Sequence, residues 1–298
     1  MNVFRSASAT LLVIGALWPR PTVAADLILS ANDGKYVRVE GAATYPQPAP
    51  SDSLAVIDAS QFPPRITAVV EGVEHTIAGP PQAVAITPDG KLALLGAPSK
   101  YDYAAQKESF GTFLQLVDLE ASPPRLLGRV EIGAHPNGLA INRDGTLLLA
   151  ACLDGTLKVL TIAGKEVKLA DSIKVGDKRL SGVSFTHDGK AALVALRDEG
   201  GLAVLTVDGP SVALTKERVS SGIAPYAIDV SSDGQWAVVG NAGLAGLAGQ
   251  LAPGDADLIT LIDISKRRPF RAVQHLTVPA TPEGSPCHPA ATGSWLRL

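Results

Sequence analysis

The feature that most constrains this chain is that it repeats itself. Four nine-residue segments align without a gap: Gln82-Ala83-Val84-Ala85-Ile86-Thr87-Pro88-Asp89-Gly90, Asn137-Gly138-Leu139-Ala140-Ile141-Asn142-Arg143-Asp144-Gly145, Ser181-Gly182-Val183-Ser184-Phe185-Thr186-His187-Asp188-Gly189 and Tyr226-Ala227-Ile228-Asp229-Val230-Ser231-Ser232-Asp233-Gly234. Their aspartates lie 55, 44 and 45 positions apart. Each segment reads small, apolar, small or polar, apolar, and then turns, which is a strand of period two closed by an Asp-Gly reverse turn. A second apolar run follows each turn, over 92–95, 147–150, 191–196 and 236–239, so each unit predicts a tight hairpin. The aspartates themselves are read as turn formers, since the same place in every unit demands one.

A further repeated element completes the unit. Leu54-Ala55-Val56-Ile57-Asp58, Leu114-Gln115-Leu116-Val117-Asp118, Leu157-Lys158-Val159-Leu160-Thr161, Leu202-Ala203-Val204-Leu205-Thr206 and Leu258-Ile259-Thr260-Leu261-Ile262-Asp263 are third strands, and 125–132 shows a fourth. Four strands in about 40–45 residues is the period of a propeller blade, a small sheet that buries its apolar faces on its neighbours around a channel. The expected fold is therefore all-β: a β-propeller of four-stranded antiparallel blades, with about five blades plus the start of a sixth. The longer spacings fit insertions at 99–110 and 241–257, the second a glycine-rich loop rather than a phosphate cradle.

The pattern Pro-x-Gly-apolar-Ala-x-x-x-Asp-Gly, a strand, then apolar-apolar-Asp resembles the YVTN-repeat propellers, a group that overlaps the lactonase-like seven-bladed proteins. The resemblance covers about 27–283. It is specific for the fold and unspecific for activity, because the motif describes strands and turns. The chain departs from the literal Tyr-Val-Thr-Asn, having Leu94-Leu95-Gly96-Ala97, Leu149-Ala150-Ala151-Cys152 and Val238-Val239-Gly240-Asn241 in its place. The subfamily is left open.

Composition narrows the partners. With 26 Lys+Arg against 29 Asp+Glu the formal net charge is −3, which gives no electrostatic reason to expect nucleic acid or an anionic membrane. Residues 1–25 read as a secretory signal, with Arg5 in a short basic start, an apolar stretch over 7–18 and the small residues Val23-Ala24-Ala25. A periplasmic or secreted protein follows, of which 26–284 form an incomplete propeller. The two cysteines, Cys152 and Cys287, allow at most one disulfide, so stability is expected from packing.

The far end breaks the pattern. Thr281-Pro282-Glu283-Gly284 matches His135-Pro136-Asn137-Gly138 position for position, yet Ser285-Pro286-Cys287-His288-Pro289 resembles no blade. Read one base earlier, codons compatible with these residues give Ile-Ala-Leu-Ser-Pro-Arg-Gly-Asp, which restores the repeat. The expectation is that 285–298 come from a shifted frame and that the propeller lacks its last blades. A divergent tail is the alternative.

Strand starts and hairpin exits open on one face of such a ring, and polar groups there form the expected site. The ligand-binding candidates are His135, Asn137, Arg179, Arg197, Tyr226 and Asn241. Arg179 and Arg197 have the fork that clasps an anion, but a blade-bridging role competes. His135 lacks an evident carboxylate partner. The amides of Asn137 and Asn241 have loop-satisfying roles as their alternative, and Tyr226 an inter-blade packing role. No nucleophile elbow, phosphate loop or His-Glu-x-x-His is present, so no catalytic residue, metal or cofactor is assigned. Three functions remain: a module binding a small molecule or protein through the channel face; a lactonase-like or cyclase-like enzyme, as the resemblance permits; and a propeller subunit of a periplasmic dehydrogenase.

Overall fold

The computed structural model describes residues 26–40, 42–76, 82–247, 257–266, 269–279 and 282. The leader at 1–25 and the tail at 283–298 lie outside them. Within them the chain is β almost throughout, and the one helical element is the single 3-10 turn Leu244–Gly246. The strands form five antiparallel sheets in chain order, plus two small hairpins.

The second blade comprises Val84–Ile86, Leu92–Leu95, Phe113–Asp118 and Arg125–Glu131, and the third Pro136–Ile141, Leu147–Cys152, Thr156–Ala163 and Glu166–Lys174. The fourth comprises Leu180–Phe185, Ala191–Leu196, Leu202–Asp208 and Ser211–Val219, and the fifth Pro225–Val230, Trp236–Asn241, Leu258–Asp263 and Arg271–Thr277. In each, neighbours along the chain are neighbours in the sheet. The first blade differs, with three strands, Leu27–Asn32, Ser53–Asp58 and Arg65–Glu71. The insertion expected over 99–110 is itself a hairpin, Ser99–Asp102 with Lys107–Phe110. A second hairpin, Val37–Val39 with Ala42–Thr44, leaves the first blade. The two meet through Tyr45 and Tyr101, whose rings stack at 3.5 Å.

The Asp-Gly turns form for a local reason. In the second blade the Thr87 hydroxyl donates to Asp89 at 2.6 Å and accepts the Leu92 N–H, while Asp89 accepts the Lys91 N–H. Gly90 lies at φ 71, a left-handed conformation that a side chain resists. Thr186 with Asp188 and Ser231 with Asp233 repeat the arrangement. In the third blade Asn142 takes over, its side-chain oxygen accepting the N–H groups of Thr146 and Leu147.

Period-two alternation then gives each blade two apolar faces, and the core lies between successive blades. Leu149, Leu157 and Val159 of the third blade pack on Val183, Val194 and Ala203 of the fourth. Leu193, Leu202 and Val204 of the fourth continue the pattern onto Ile228, Val239 and Ile262 of the fifth. Every outermost pair carries a register shift at the same place, between Val56 and Ile57, Leu116 and Val117, Val159 and Leu160, Ala203 and Leu205, and Leu261 and Ile262. Such bulges twist an exposed edge away from pairing with other chains.

The innermost strands come very close together. A Cβ on Gly138 would stand 2.1 Å from the Ser181 carbonyl oxygen, and one on Gly182 would stand 2.4 Å from that of Tyr226. The small second position of the repeat is therefore a contact requirement between neighbouring blades.

Candidate functional site

The leading position of each repeat serves these inner strands. The Asn137 amide donates to Leu180 O at 3.1 Å, and one blade on, the Ser181 hydroxyl donates to Pro225 O at 2.6 Å. Gln82 reaches further: its Nε2 donates to Ile228 O at 2.9 Å and its Oε1 accepts the Val183 N–H at 3.1 Å. One side chain from the second blade thus joins the fourth and fifth, so four inner strands gather about one axis. Asn137 is buried and belongs to this stack rather than to a rim that a ligand could touch.

Arg179 and Arg197 come together on the face where the fourth blade meets the fifth. Arg179 grips Asp198 side-on, Nε to Oδ2 at 2.6 Å and Nη2 to Oδ1 at 2.7 Å. Its Nη2 also donates to Gly246 O, to which Arg197 Nε donates at 2.9 Å. The Arg197 guanidinium lies 4.7 Å over the ring of Tyr226, which is 3 % exposed. Tyr226 is thus a buried platform that holds Arg197 by a cation–π contact. The strand start at 179, the hairpin exit at 197–198 and the insertion turn at 246 meet here as the register requires.

His135 and Asn241 stand apart from this cluster. His135 Nδ1 lies 2.9 Å from Gly111 O and its ring packs on Phe110, with centroids 4.8 Å apart. Burial holds its pKa below the ordinary histidine value. Among the described residues no carboxylate is hydrogen-bonded to the ring, so none of them serves as the orienting acid of a general base. Asn241 is buried, and its amide nitrogen is shared by Val239 O, Leu258 O and Thr260 Oγ1 at 3.0–3.1 Å.

Beside the arginine cluster a cleft of ≈ 730 Å³ opens between the fourth and fifth blades. Arg197 and Arg218 line it with Glu199, Gly222, Ile223 and Leu258. Its acidic groups are already engaged. Asp198 is held by Arg179, and Glu199 Oε1 accepts the N–H groups of Asp177 and Lys178 at 2.5 and 2.9 Å. The cleft therefore sets Arg197 and Arg218 beside Glu199, along a wall that Ile223 and Leu258 make partly apolar.

Sequence reasoning placed Arg197 at the channel mouth with the other candidates, and named neither this cleft nor Arg218, Ile223 and the Ser220-Ser221-Gly222 loop. The signal was the run of polar and small residues between an outermost strand and the next Pro-containing start, the place where blade-to-blade clefts open. Among the described residues no three His, Cys, Asp or Glu side chains gather as a metal site would require. No helix of the described residues is long and apolar enough to cross a membrane.

The sequence matches no family model and no curated protein. Solved structures do resemble the fold. A 6-phosphogluconolactonase-like protein from Bacteroides uniformis superposes with a TM-score of 0.66 over 88 % of this chain and 72 % of its own, at 12 % identity. A functionally unknown protein from Desulfotomaculum acetoxidans gives 0.59 at 20 % identity, over 76 % of this chain and 63 % of its own. Hydrazine synthase of Kuenenia stuttgartiensis gives 0.50 at 21 % identity, over 68 % of this chain and 51 % of its own, so this chain spans about half the length of that one. The class these observations define is a β-propeller with four-stranded blades, of a form shared with a lactonase-like protein. At these identities the likeness is one of fold, and activity has to be argued from the cleft.

Proposed function

We propose that this chain is a binding module that takes a small molecule on the propeller face between its fourth and fifth blades. The observation that carries the reading is the state of the face arginines. Lactone chemistry on this face needs a cation free to polarise a carbonyl and a base beside it to activate water. Arg179 is closed on Asp198, Arg197 is fixed between Tyr226 and Gly246 O, His135 packs separately against Phe110, and Arg218, the remaining cation of the cleft, has no histidine beside it among the lining residues. What remains is a partly apolar cleft lined by Arg197, Arg218 and Glu199, which suits recognition. The leader-like residues 1–25 support a periplasmic or secreted setting, where a small solute is the partner we favour over another protein.

Thermal-shift and calorimetric titration of the purified chain against a panel of small acids, amides, amines and neutral lactones tests this. Saturable stabilisation by at least one member is expected, without turnover of the lactones. A panel that leaves Tm unmoved up to millimolar concentrations overturns the reading.

A further inference from the structure

Resting on that reading, we propose that the cleft between the fourth and fifth blades is a site for a small organic carboxylate with an apolar body, anchored on Arg218. Arg218 is the penultimate residue of the outermost strand Ser211–Val219. Its Nη1 donates to Thr215 O at 3.3 Å and to Glu217 O at 3.2 Å. These two bonds orient the guanidinium and turn Nη1 back onto its own strand. The opposite edge, Nε with Nη2, has no acceptor among the described residues. That edge is the one with which Arg179 grips Asp198 at 2.6 and 2.7 Å in the neighbouring loop. Two parallel N–H groups at that spacing match the two oxygens of one carboxylate.

The surroundings select the rest of the ligand. Ile223 is 48 % exposed on the cleft wall, beside Leu258, Val219 and Ala224. Val219 and Ala224 are already buried, so an aliphatic or aromatic body that covers Ile223 and the half-buried Leu258 is removed from water together with those two side chains. Within the cleft Arg179 holds Asp198 and two backbone N–H groups engage Glu199 Oε1, and neither carboxylate is hydrogen-bonded to Arg218. A single open guanidinium edge matches the two oxygens of a carboxylate monoanion and leaves the third oxygen of a phosphate dianion unmatched by Arg218. The cleft volume limits the ligand to a small molecule.

The test is calorimetric or NMR titration of the whole chain with hexanoate, hexanamide and inorganic phosphate, in the wild type and in Arg218→Ala, Arg218→Lys and Ile223→Ser. Hexanoate is expected to bind the wild type, and roughly tenfold or more weaker to Arg218→Ala, as loss of a charge-assisted bidentate contact implies. Arg218→Lys recovers part of the affinity, Ile223→Ser loses part, hexanamide binds more weakly than hexanoate, and phosphate does not compete. Arg218 is exposed, so an unchanged Tm in Arg218→Ala separates loss of the site from loss of the fold. Equal hexanoate affinity in the wild type and Arg218→Ala, or none at millimolar concentration, overturns the assignment. If other panel members then stabilise both proteins alike, the carboxylate site fails while the binding reading stands. If nothing on the panel binds, both fail.

Discussion

Replacing Gly138 by alanine tests the close approach of the inner strands, because the sign of its effect depends on that geometry. In an ordinary strand, Gly→Ala stabilises by about 0.4–1 kcal/mol, chiefly by reducing the freedom of the unfolded chain. Here the added Cβ meets the Ser181 carbonyl oxygen at 2.1 Å, with Gly182 Cα at 3.1 Å behind it. Both atoms are backbone in the next blade's inner strand, so no side chain can rotate away. Overpacking of a dense core costs about 1–3 kcal/mol, and a backbone obstacle belongs at the upper end. After the entropic gain is subtracted, about 2 kcal/mol of destabilisation remains, which for a chain of this size lowers Tm by roughly 4–8 °C. Thermal unfolding followed by circular dichroism, with urea denaturation at constant m-value as a second readout, measures it. A Gly138→Ala protein as stable as the wild type, or more stable, refutes the close-packed inner ring.

Three further outcomes follow from particular groups. Arg179→Ala leaves Asp198, whose side chain is 11 % exposed, without its bidentate partner; the partial exposure of Arg179 discounts the cost of a fully buried pair to about 1–2 kcal/mol, read as a lower urea midpoint. Cys152 is buried, and burial pushes its thiol up to about 12, so it should resist a disulfide reagent at pH 8 until the chain is unfolded, when it reacts at once. Burial also holds His75 and His135 below the ordinary histidine value. The unfolded chain therefore takes up protons first, stability is full above about pH 6.5, and it declines as pH falls below that value. His75→Gln and His135→Gln should each reduce the slope of the urea midpoint between pH 7 and pH 5. An unchanged slope in both contradicts the burial argument.

The blades were legible in the sequence because they are made of local signals repeated at one spacing. Thr87-Pro88-Asp89-Gly90 closes its own loop by short-range hydrogen bonds, and the runs 92–95, 191–196 and 258–263 coincide with strands at both ends. The three-stranded first blade was less legible: its first strand at Leu27–Asn32 follows no Asp-Gly turn, and the hairpin inserted after it spaces it from its partner Ser53–Asp58. The site was legible only in part. Arg179, Arg197 and Tyr226 do converge, since register alone brings strand starts and hairpin exits to one face. That Asn137 spends its amide on Leu180 O, or that Gln82 spans from the second blade to the fifth, depends on the distance between inner strands. No one-dimensional pattern carries that distance. Arg218 escaped notice because its role follows from which carboxylates nearby are already paired.

The central claim, a face built for binding and not for hydrolysis, is tested most directly by the rate at which the purified protein opens neutral aliphatic lactones in a pH-stat. The commitment of Arg179 and Arg197 and the separation of His135 from the cleft predict a rate equal to that of buffer alone, unchanged in His135→Ala. Saturable hydrolysis by the wild type that disappears in His135→Ala would contradict it.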